Sequence, residues 1–314
     1  MRIVFMGTPD FAVPALEALY KAGHAISGVF TQPDRPSGRG NKIKASPVKV
    51  FAEENGLAVY QPAKIKSPEA VTLLKSLEPE CIVVVAFGQL LSKEILAIPA
   101  YGCINVHASL LPAYRGAAPV HWAVLNGETK TGVTTMLMDA GLDTGDMLLC
   151  RDYPISSEAT TGELYDVLAR MGAELILETL DGLVAGKIKP TPQPEQFTYA
   201  PLLTREHEQI AWSWHAEQIH NRIRGLNPWP GAFTFFRGEQ VKIWQSSVAA
   251  QQLGWDTPAE KIPGLIIGLE NGALAVQTGS GILYVQELQP AGKKRMHAPD
   301  FYNGYRLKSG EIFG

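Results

Sequence analysis

The first 185 or so residues alternate short apolar runs, rich in β-branched side chains, with longer stretches of helical periodicity. Parallel strands need a crossover connection, usually a helix, so this order is typical of a mainly parallel sheet covered by helices. The predicted strands span residues 3–6, 25–30, 81–87, 103–106 and 133–138. The predicted helices span residues 10–21, 46–55, 68–77, 119–125 and 161–183. We therefore expect a Rossmann-like α/β domain over residues 1–186.

A proline-rich stretch separates this half from the rest of the chain. Residues 187–205 contain four prolines, which oppose regular secondary structure and favour extended chain. Beyond them, short alternating runs are separated by turn signals such as Asn271-Gly272. The predicted strands there span residues 232–237, 240–245, 264–269, 273–278 and 282–288. The sequence predicts an interdomain linker over 187–205 and a small OB-like β-barrel domain over 206–314.

Composition excludes several classes of protein. A chain of 314 residues that is 46% hydrophobic and 19% charged can bury a large core, which argues against disorder. No apolar run reaches the length that spans a bilayer, and residues 3–6 are too short a run for a signal peptide. The 3 cysteines show no C-x-x-C spacing, so neither a disulfide nor a zinc site is expected. We expect a cytoplasmic protein without a membrane segment.

The charge distribution leaves two interpretations open. The net charge of −3 gives no overall sign of a nucleic-acid partner, which usually needs a basic face. Two local runs are basic, one between residues 35 and 52, which has no acidic residue, and one over residues 293–295. Each run is either a solvated loop or a patch that binds a polyanion.

Asn105 and His107 are the first candidates for chemistry. They stand two positions apart at the end of a predicted strand, so both side chains point to the same face. Open α/β sheets bind ligands at the carboxyl ends of their strands. An amide and an imidazole there either form part of a reactive site or are an ordinary hydrogen-bonded polar edge.

The loop over residues 139–146 reads DAGLDTGD and follows another predicted strand. Gly141 and Gly145 permit a tight turn that carries Asp143 over the same edge of the sheet. A carboxylate near His107 would orient the imidazole ring. Taken alone, this loop is better explained as a glycine- and aspartate-rich turn that has no chemical role.

The motif NVHASLLP at residues 105–112, together with the 139–146 loop, resembles the folate-dependent formyltransferases. Further segments are similar to the members of that family that act on methionyl-tRNA, and they lie in both halves of the chain. These segments are MGTPDF at 6–11, FTQPDRP at 30–36, GRG at 38–40, NPWPG at 227–231 and LQPAGKK at 288–294.

The resemblance implies transfer of a formyl group from 10-formyltetrahydrofolate to the amino group of methionine on charged initiator tRNA. It implies that Asn105, His107 and Asp143 are catalytic. Asn105 and His107 would donate hydrogen bonds to the oxygen that gains negative charge, and Asp143 would hold His107 and help to remove the amine proton. This chemistry requires no metal. We expect a monomeric enzyme.

The resemblance also implies residues that bind the two substrates. The implied folate contacts are Ser109, Leu110, Leu111 and Pro112, with Phe87, Gly88 and Leu90 as the remaining wall of the pterin site. The implied tRNA contacts are Arg39, Lys42 and Lys44, and the barrel would hold the acceptor arm. Considered singly, Leu110, Leu111 and Phe87 are better explained by core packing, and only their position beside the catalytic residues favours the folate site. We interpret Trp212, Trp214 and Trp229 as core or interface residues.

Three other functions remain alternatives. A nicotinamide enzyme is disfavoured because Gly7-Thr8-Pro9 after the first strand lacks the G-x-G-x-x-G fingerprint. A formyltransferase that acts on a nucleotide precursor or an amino-sugar nucleotide would share the first domain. A noncatalytic RNA-binding protein with a degenerate folate domain is the alternative of a different class.

Overall fold

The computed structural model describes residues 1–37, 42–248, 262–308 and 310–314. The chain forms two compact units. The first comprises Met1–Pro119, Thr131–Tyr153 and Tyr165–Ala200. The second comprises Val120–Lys130, Pro154–Leu164 and Pro201–Gly314. Two short segments of the first half therefore belong to the second unit, and the rest of the chain as far as Ala200 belongs to the first.

The first unit is built on a seven-stranded sheet. The strands up to residue 200 are β1 (Arg2–Gly7), β2 (Ala25–Phe30), β3 (Arg35–Ser37), β4 (Lys42–Lys44), β5 (Val59–Tyr60), β6 (Cys81–Val85), β7 (Cys103–His107), β8 (Arg115–Gly116), β9 (Lys130–Leu137), β10 (Met147–Pro154) and β11 (Tyr199–Ala200). The order in the sheet is β10-β9-β7-β6-β1-β2-β5. Neighbours from β7 to β5 pair in parallel, whereas β9 pairs antiparallel with β7. The predicted, mainly parallel α/β sheet is confirmed.

Helices follow most of the parallel strands. In the part of the chain that the structure describes, the helices of both units are α1 (Val13–Lys21), α2 (Pro47–Glu54), α3 (Pro68–Ser76), α4 (Lys93–Leu96), α5 (Pro119–Leu125), α6 (Thr161–Val184), α7 (Arg205–Glu208), α8 (Ala216–Gly225) and α9 (Ala298–Gly304), with one 3₁₀ turn at Asp10–Ala12. Ser-Pro pairs mark the N-termini of two of these helices, α2 and α3. The Ser46 and Ser67 hydroxyls accept from the amides of Lys49 and Ala70 at 3.1 and 3.3 Å, and each serine precedes a proline at the first helical position.

The central strands of this sheet are buried on both faces. Ile3, Val4, Phe5 and Met6 of β1 are all fully buried, because a parallel sheet is covered by helices on both sides. Such strands are continuous apolar runs, and for that reason the sequence located them. The predicted strand at 81–87 ends at Val85, because Ala86 and Gly88 turn the chain with φ of 47° and 83°.

Several short elements escaped prediction. The edge strands β5 and β10 and the hairpin β3–β4 lie where the sequence predicted connections. The segment predicted as a linker is partly paired with the first unit. Thr191 forms a bridge with Met147, and β11 pairs in parallel with β8. The strands β3, β4 and β5, of two or three residues each, carry too little periodicity to be recognised in a sequence, and the longer β10 does not alternate regularly between apolar and polar side chains.

The second unit contains an antiparallel sheet. Its strands are β12 (Phe233–Phe236), β13 (Glu239–Val248), β14 (Ile266–Glu270), β15 (Ala273–Gln277), β16 (Ile282–Pro290) and β17 (Met296–His297). Their order is β12-β13-β16-β15-β14, and β17 pairs with β16. The two edges of the sheet are joined by neighbouring residues. Phe313 bridges Phe236 of β12, and Ile312 bridges Leu265 just before β14. The sheet is therefore curled, and the prediction of a small antiparallel barrel is confirmed.

Aromatic side chains fill the interior of this barrel. Trp212 stacks on Phe313 with ring centroids 5.5 Å apart, and Phe301 of α9 lies 5.4 Å from Phe236. Trp212 is 5% exposed and lies in the core, whereas Trp229, which we interpreted as a core or interface residue, is 69% exposed and does not lie in the core. Of the described helices, none has both the length and the hydrophobicity needed to cross a bilayer.

Candidate active site

Strand β7 presents Asn105 and His107 on one face. They pair with Met136 and Thr134 of the antiparallel neighbour β9. Both side chains are nearly buried, with 9% and 6% of their surfaces exposed. On its other side β7 runs parallel to β6, so the loop after Val85 emerges at the same edge of the sheet.

The loop between β9 and β10 brings Asp143 to both residues. Asn105 Nδ2 donates to Asp143 Oδ1 at 3.3 Å, and His107 Nδ1 lies 3.7 Å from Asp143 Oδ2. The amide of Gly116 donates to the same Oδ2 at 2.8 Å. The structure thus brings the three predicted catalytic side chains together and adds a backbone donor that the sequence did not indicate.

Two features shape this loop. Asp143 has φ of 53°, in the left-handed region that costs free energy for a residue other than glycine. Gly145 lies so close to Leu137 that a Cβ there would be 1.8 Å from the Leu137 carbonyl oxygen. The glycine is required by this close approach, and the loop must be held by contacts outside itself.

The histidine ring is fixed by a second contact. His107 Nε2 lies 3.0 Å from the carbonyl oxygen of Tyr114. A carbonyl oxygen can only accept a hydrogen bond, so Nε2 carries a proton. Nδ1 is therefore the ring nitrogen that faces Asp143, and it carries a proton only when the ring is charged.

Thr134 organises the run that follows His107. Its hydroxyl donates to the carbonyl of Ser109 at 2.7 Å and accepts from the amide of Leu111 at 3.1 Å. Ser109 Oγ donates to the Ala113 carbonyl at 2.6 Å. Ser109 and Leu111 are 1% and 7% exposed, so these two predicted folate contacts have their side chains in the interior. Leu110 and Pro112 are half-buried.

The loop after β6 contains the other predicted folate contacts. Phe87 is 2% exposed, and its carbonyl accepts from Thr8 Oγ1 and Gln32 Nε2 at 3.1 Å each. Gly88 is exposed, and Leu90 is 59% exposed. An open apolar side chain and exposed backbone therefore lie at the strand end next to Asn105 and His107, which fits a flat heterocyclic ligand with polar edges.

Two of the three predicted tRNA contacts lie on the β3–β4 hairpin. Lys42 and Lys44 belong to β4, Lys44 is exposed, and it pairs in register with the exposed Arg35. Arg39 lies outside the described residues. This hairpin is a separate feature of the first unit, since it is not part of the seven-stranded sheet.

Sequence reasoning missed part of this site. Residues 191–200 run beside the 114–116 turn: Thr198 Oγ1 accepts from the amide of Tyr114 at 2.8 Å, and β11 pairs with β8. The prolines of this segment indicated a linker, and no signal in the sequence distinguishes Thr198 from any other polar loop residue.

Comparison with known proteins identifies the family. Residues 1–180 match the family model described as formyl transferase, and residues 202–306 match the one described as formyl transferase, C-terminal domain. The chain belongs to the formyl transferase family. The resemblance noted in the sequence is thereby confirmed.

Full-length relatives are close. A methionyl-tRNA formyltransferase of Geotalea uraniireducens is 50% identical over 315 residues, which cover 100% of this chain and 98% of the relative. One from Pelotomaculum thermopropionicum is 50% identical over 314 residues, covering 100% of this chain and 99% of the relative. Among solved structures, the sugar 3N-formyl transferase WlaRD is 19% identical, with a TM-score of 0.66 over 94% of this chain and 99% of that one. At that identity the likeness concerns the fold alone.

Proposed function

We propose that this chain transfers the formyl group of 10-formyltetrahydrofolate to the amino group of methionine carried by initiator tRNA. The observation that carries the proposal is the convergence of Asn105, His107 and Asp143 at one sheet edge. It is supported by about 50% identity over the whole chain to relatives named methionyl-tRNA formyltransferase.

Asn105 is suited to stabilise the charge that develops in the reaction. When the amine attacks the formyl carbon, the formyl oxygen becomes negative. The Asn105 amide has two N–H groups, and only one is needed for its bond to Asp143 Oδ1. The second can donate to the formyl oxygen, a contact typically worth about 3 to 4 kcal/mol in the transition state.

Asp143 and His107 are suited to handle the proton. As the new C–N bond forms, the amine nitrogen must lose a proton, which the Asp143 carboxylate takes directly or through water. His107 Nδ1, 3.7 Å from Asp143 Oδ2, can share that proton and then becomes a second donor to the formyl oxygen. The bond between the formyl carbon and the folate nitrogen breaks, and that nitrogen finally carries the proton.

The folate site is proposed at the adjoining loop after β6. Gly88 and Leu90 are exposed there, and Leu110 and Pro112 border the same edge after β7. Phe87, Ser109 and Leu111 would support this site from the interior, because their side chains are buried. The folate supplies the activated formyl group, and these residues would bind and orient it.

Two basic surfaces are proposed to contact the tRNA, one on each unit. On the first unit it is the β3–β4 hairpin, whose strand β4 contains Lys42 and Lys44, and Arg39, the third proposed contact, lies outside the described residues. On the second unit it is the Trp244 patch, which we define as Lys242, Trp244, Lys293, Lys294 and Arg295. Arg295 lies over the Trp244 ring at 3.9 Å and Lys242 at 5.4 Å, while residues 293–295 are exposed. Trp244 itself is 7% exposed, so its ring supports the cations, and the exposed cations suit contacts with RNA phosphates.

A substrate comparison tests the function. The purified protein, with 10-formyltetrahydrofolate, is offered methionyl initiator tRNA, methionyl elongator tRNA and an amino-sugar nucleotide, and the formylated product is quantified by mass spectrometry. We expect efficient formylation of the first acceptor alone. Preferred formylation of the amino-sugar nucleotide would assign a different acceptor class, and binding of charged tRNA without formylation would indicate a noncatalytic RNA-binding protein.

A further inference from the structure

The side chain of Gln193 contacts the backbone of the Asp143 loop twice. Its Nε2 donates to the carbonyl oxygen of Asp143 at 2.8 Å and to that of Gly145 at 2.8 Å. A primary amide has two N–H donors, so both are used on this one loop. These bonds reach the main chain of Asp143 itself, which has φ of 53°.

The other end of the same amide is held by Arg115. Gln193 Oε1 accepts from Arg115 Nε at 3.0 Å and from Arg115 Nη2 at 2.7 Å. Two carbonyls on one side can only accept and a guanidinium on the other can only donate, so the amide has a single satisfactory orientation. Arg115 is 6% exposed and its guanidinium lies 4.4 Å from the centroid of the Phe197 ring, which further restricts it.

These contacts close a ring around the Asp143 carboxylate. Arg115 is followed directly by Gly116, whose amide donates to Asp143 Oδ2 at 2.8 Å. One path thus runs from the Asp143 main chain through Gln193 and Arg115 to Gly116, and returns to the Asp143 side chain. The adjoining Tyr114 carbonyl accepts from His107 Nε2, so the same turn also orients the imidazole.

We infer that Gln193 is a positioning residue for formyl transfer: its amide couples the Asp143 loop to the 114–116 turn and thereby sets the place of the Asp143 carboxylate beside His107 and Asn105. The inference rests on the proposed function. It assigns a role in the chemistry to a segment beyond residue 180, where the match to the first formyl transferase model ends.

Two substitutions separate this role from a merely structural one. Gln193→Glu keeps an acceptor for Arg115 but has no N–H for the carbonyls of Asp143 and Gly145. Gln193→Met fills similar space and loses both sets of bonds. If Gln193 only anchored its own segment to Arg115, the glutamate variant would behave as the parent protein does. If it positions Asp143, both variants are impaired. The exposed Glu195, two residues away, provides the matched control Glu195→Gln.

We expect both Gln193 variants to lower kcat about 10-fold to 100-fold, because small displacements of a catalytic group are costly. KM for the folate and for the charged tRNA should change less than about twofold, and Tm of Gln193→Glu should stay close to that of the parent. In an Asp143→Asn background, Gln193→Met should lower kcat by no more than about twofold further, since the group it positions is already disabled. Glu195→Gln should keep kcat.

The outcomes distinguish the inference from the function on which it rests. A parental kcat for Asp143→Asn would remove Asp143 from the reaction, and the role of Gln193 would fall with it. Suppose that Asp143→Asn is impaired. A parental kcat in Gln193→Glu would then overturn the role of Gln193 alone. Losses of kcat that are fully additive in the Asp143→Asn, Gln193→Met double variant would do the same. The role of Gln193 is established if both Gln193 variants lower kcat at unchanged KM and the losses are not additive with that of Asp143→Asn.

Discussion

His107 Nε2 lies 3.0 Å from the carbonyl oxygen of Tyr114, and this contact turns the other ring nitrogen toward Asp143. The two nitrogens therefore have different tasks. Nε2 anchors the ring to the 114–116 turn, and Nδ1 is the atom available to exchange a proton with the carboxylate 3.7 Å away.

The different roles of the two ring nitrogens predict an order of activity among substitutions of His107. His107→Ala should lower kcat at least about 100-fold, because it removes a donor formed for the transition state. An asparagine amide nitrogen occupies roughly the position of Nδ1, and a glutamine nitrogen roughly that of Nε2. His107→Asn should therefore retain more activity than His107→Gln in single-turnover formylation. A more active glutamine variant would show that Nε2 serves the reaction.

Asn105→Ala should lower kcat by about 100-fold with little change in KM for either substrate. The side chain donates to Asp143 Oδ1, so Asn105→Asp, which places a second carboxylate there, should be at least as damaging. Circular dichroism and Tm measurements check that both variants fold. Parental turnover by folded Asn105→Ala would exclude this residue from catalysis.

Reactivity of the cysteines should follow their burial. Burial raises the pKa of the Cys103 thiol to about 12 and raises that of Cys81 above its ordinary value, with the neighbouring Cys103 adding to the effect. Cys150 is exposed. A thiolate-selective reagent at pH 8 should modify one thiol in the native chain and all 3 after denaturation. Cys150→Ser should abolish the native reaction, and rapid labelling of that variant would contradict the assignment.

His121 should make the second unit less stable in acid. Burial lowers its pKa, and the opposing effect of its contact with the Trp229 carbonyl, at 3.2 Å, is smaller. The unfolded chain then binds a proton below about pH 6.5 more readily than the folded one does, so stability present above that pH is lost as the pH falls. One such group changes the free energy of unfolding by at most about 1.4 kcal/mol per pH unit.

Urea unfolding between pH 7 and pH 5.5, followed by tryptophan fluorescence, measures this effect. His121→Gln keeps a donor for the Trp229 carbonyl but cannot titrate, so its stability should fall less than that of the parent protein. The matched control is the exposed His215 changed to glutamine, which removes an imidazole but leaves the contact of His121 with Trp229 in place. If the free energy of unfolding fell equally with pH in the parent protein and in His121→Gln, the prediction would be contradicted.

The Trp244 patch predicts a salt-dependent contribution to tRNA binding. Lys293→Ala combined with Arg295→Ala should raise KM for charged tRNA severalfold and leave kcat unchanged. The dependence of tRNA affinity on salt concentration should weaken by the equivalent of about two phosphate contacts. Arg205→Ala removes a cation of the same unit that lies over Phe233 and pairs with Glu208, and serves as the control. An unchanged salt slope in the double variant would mean that the patch does not meet the phosphates.

Local signals determined a large part of this protein. The Ser-Pro pairs at 46–47 and 67–68 start helices, the apolar runs at 3–6 and 81–85 form buried strands, and two-residue spacing puts Asn105 and His107 on one face. Each of these outcomes depends on residues only a few positions apart. Composition and spacing in the sequence are therefore sufficient to predict them.

Only the tertiary structure decided how the site is held together. The bond from Gln193 to Asp143 joins residues 50 positions apart, and that from Thr134 to Ser109 joins residues 25 apart. Such contacts exist only after the chain has brought distant loops to one edge of the sheet. A glutamine or threonine has the same local signature whether or not it finds those partners. The sequence could thus predict the reacting side chains, while the ring nitrogen that faces the carboxylate and the residues that fix it had to be seen in the fold.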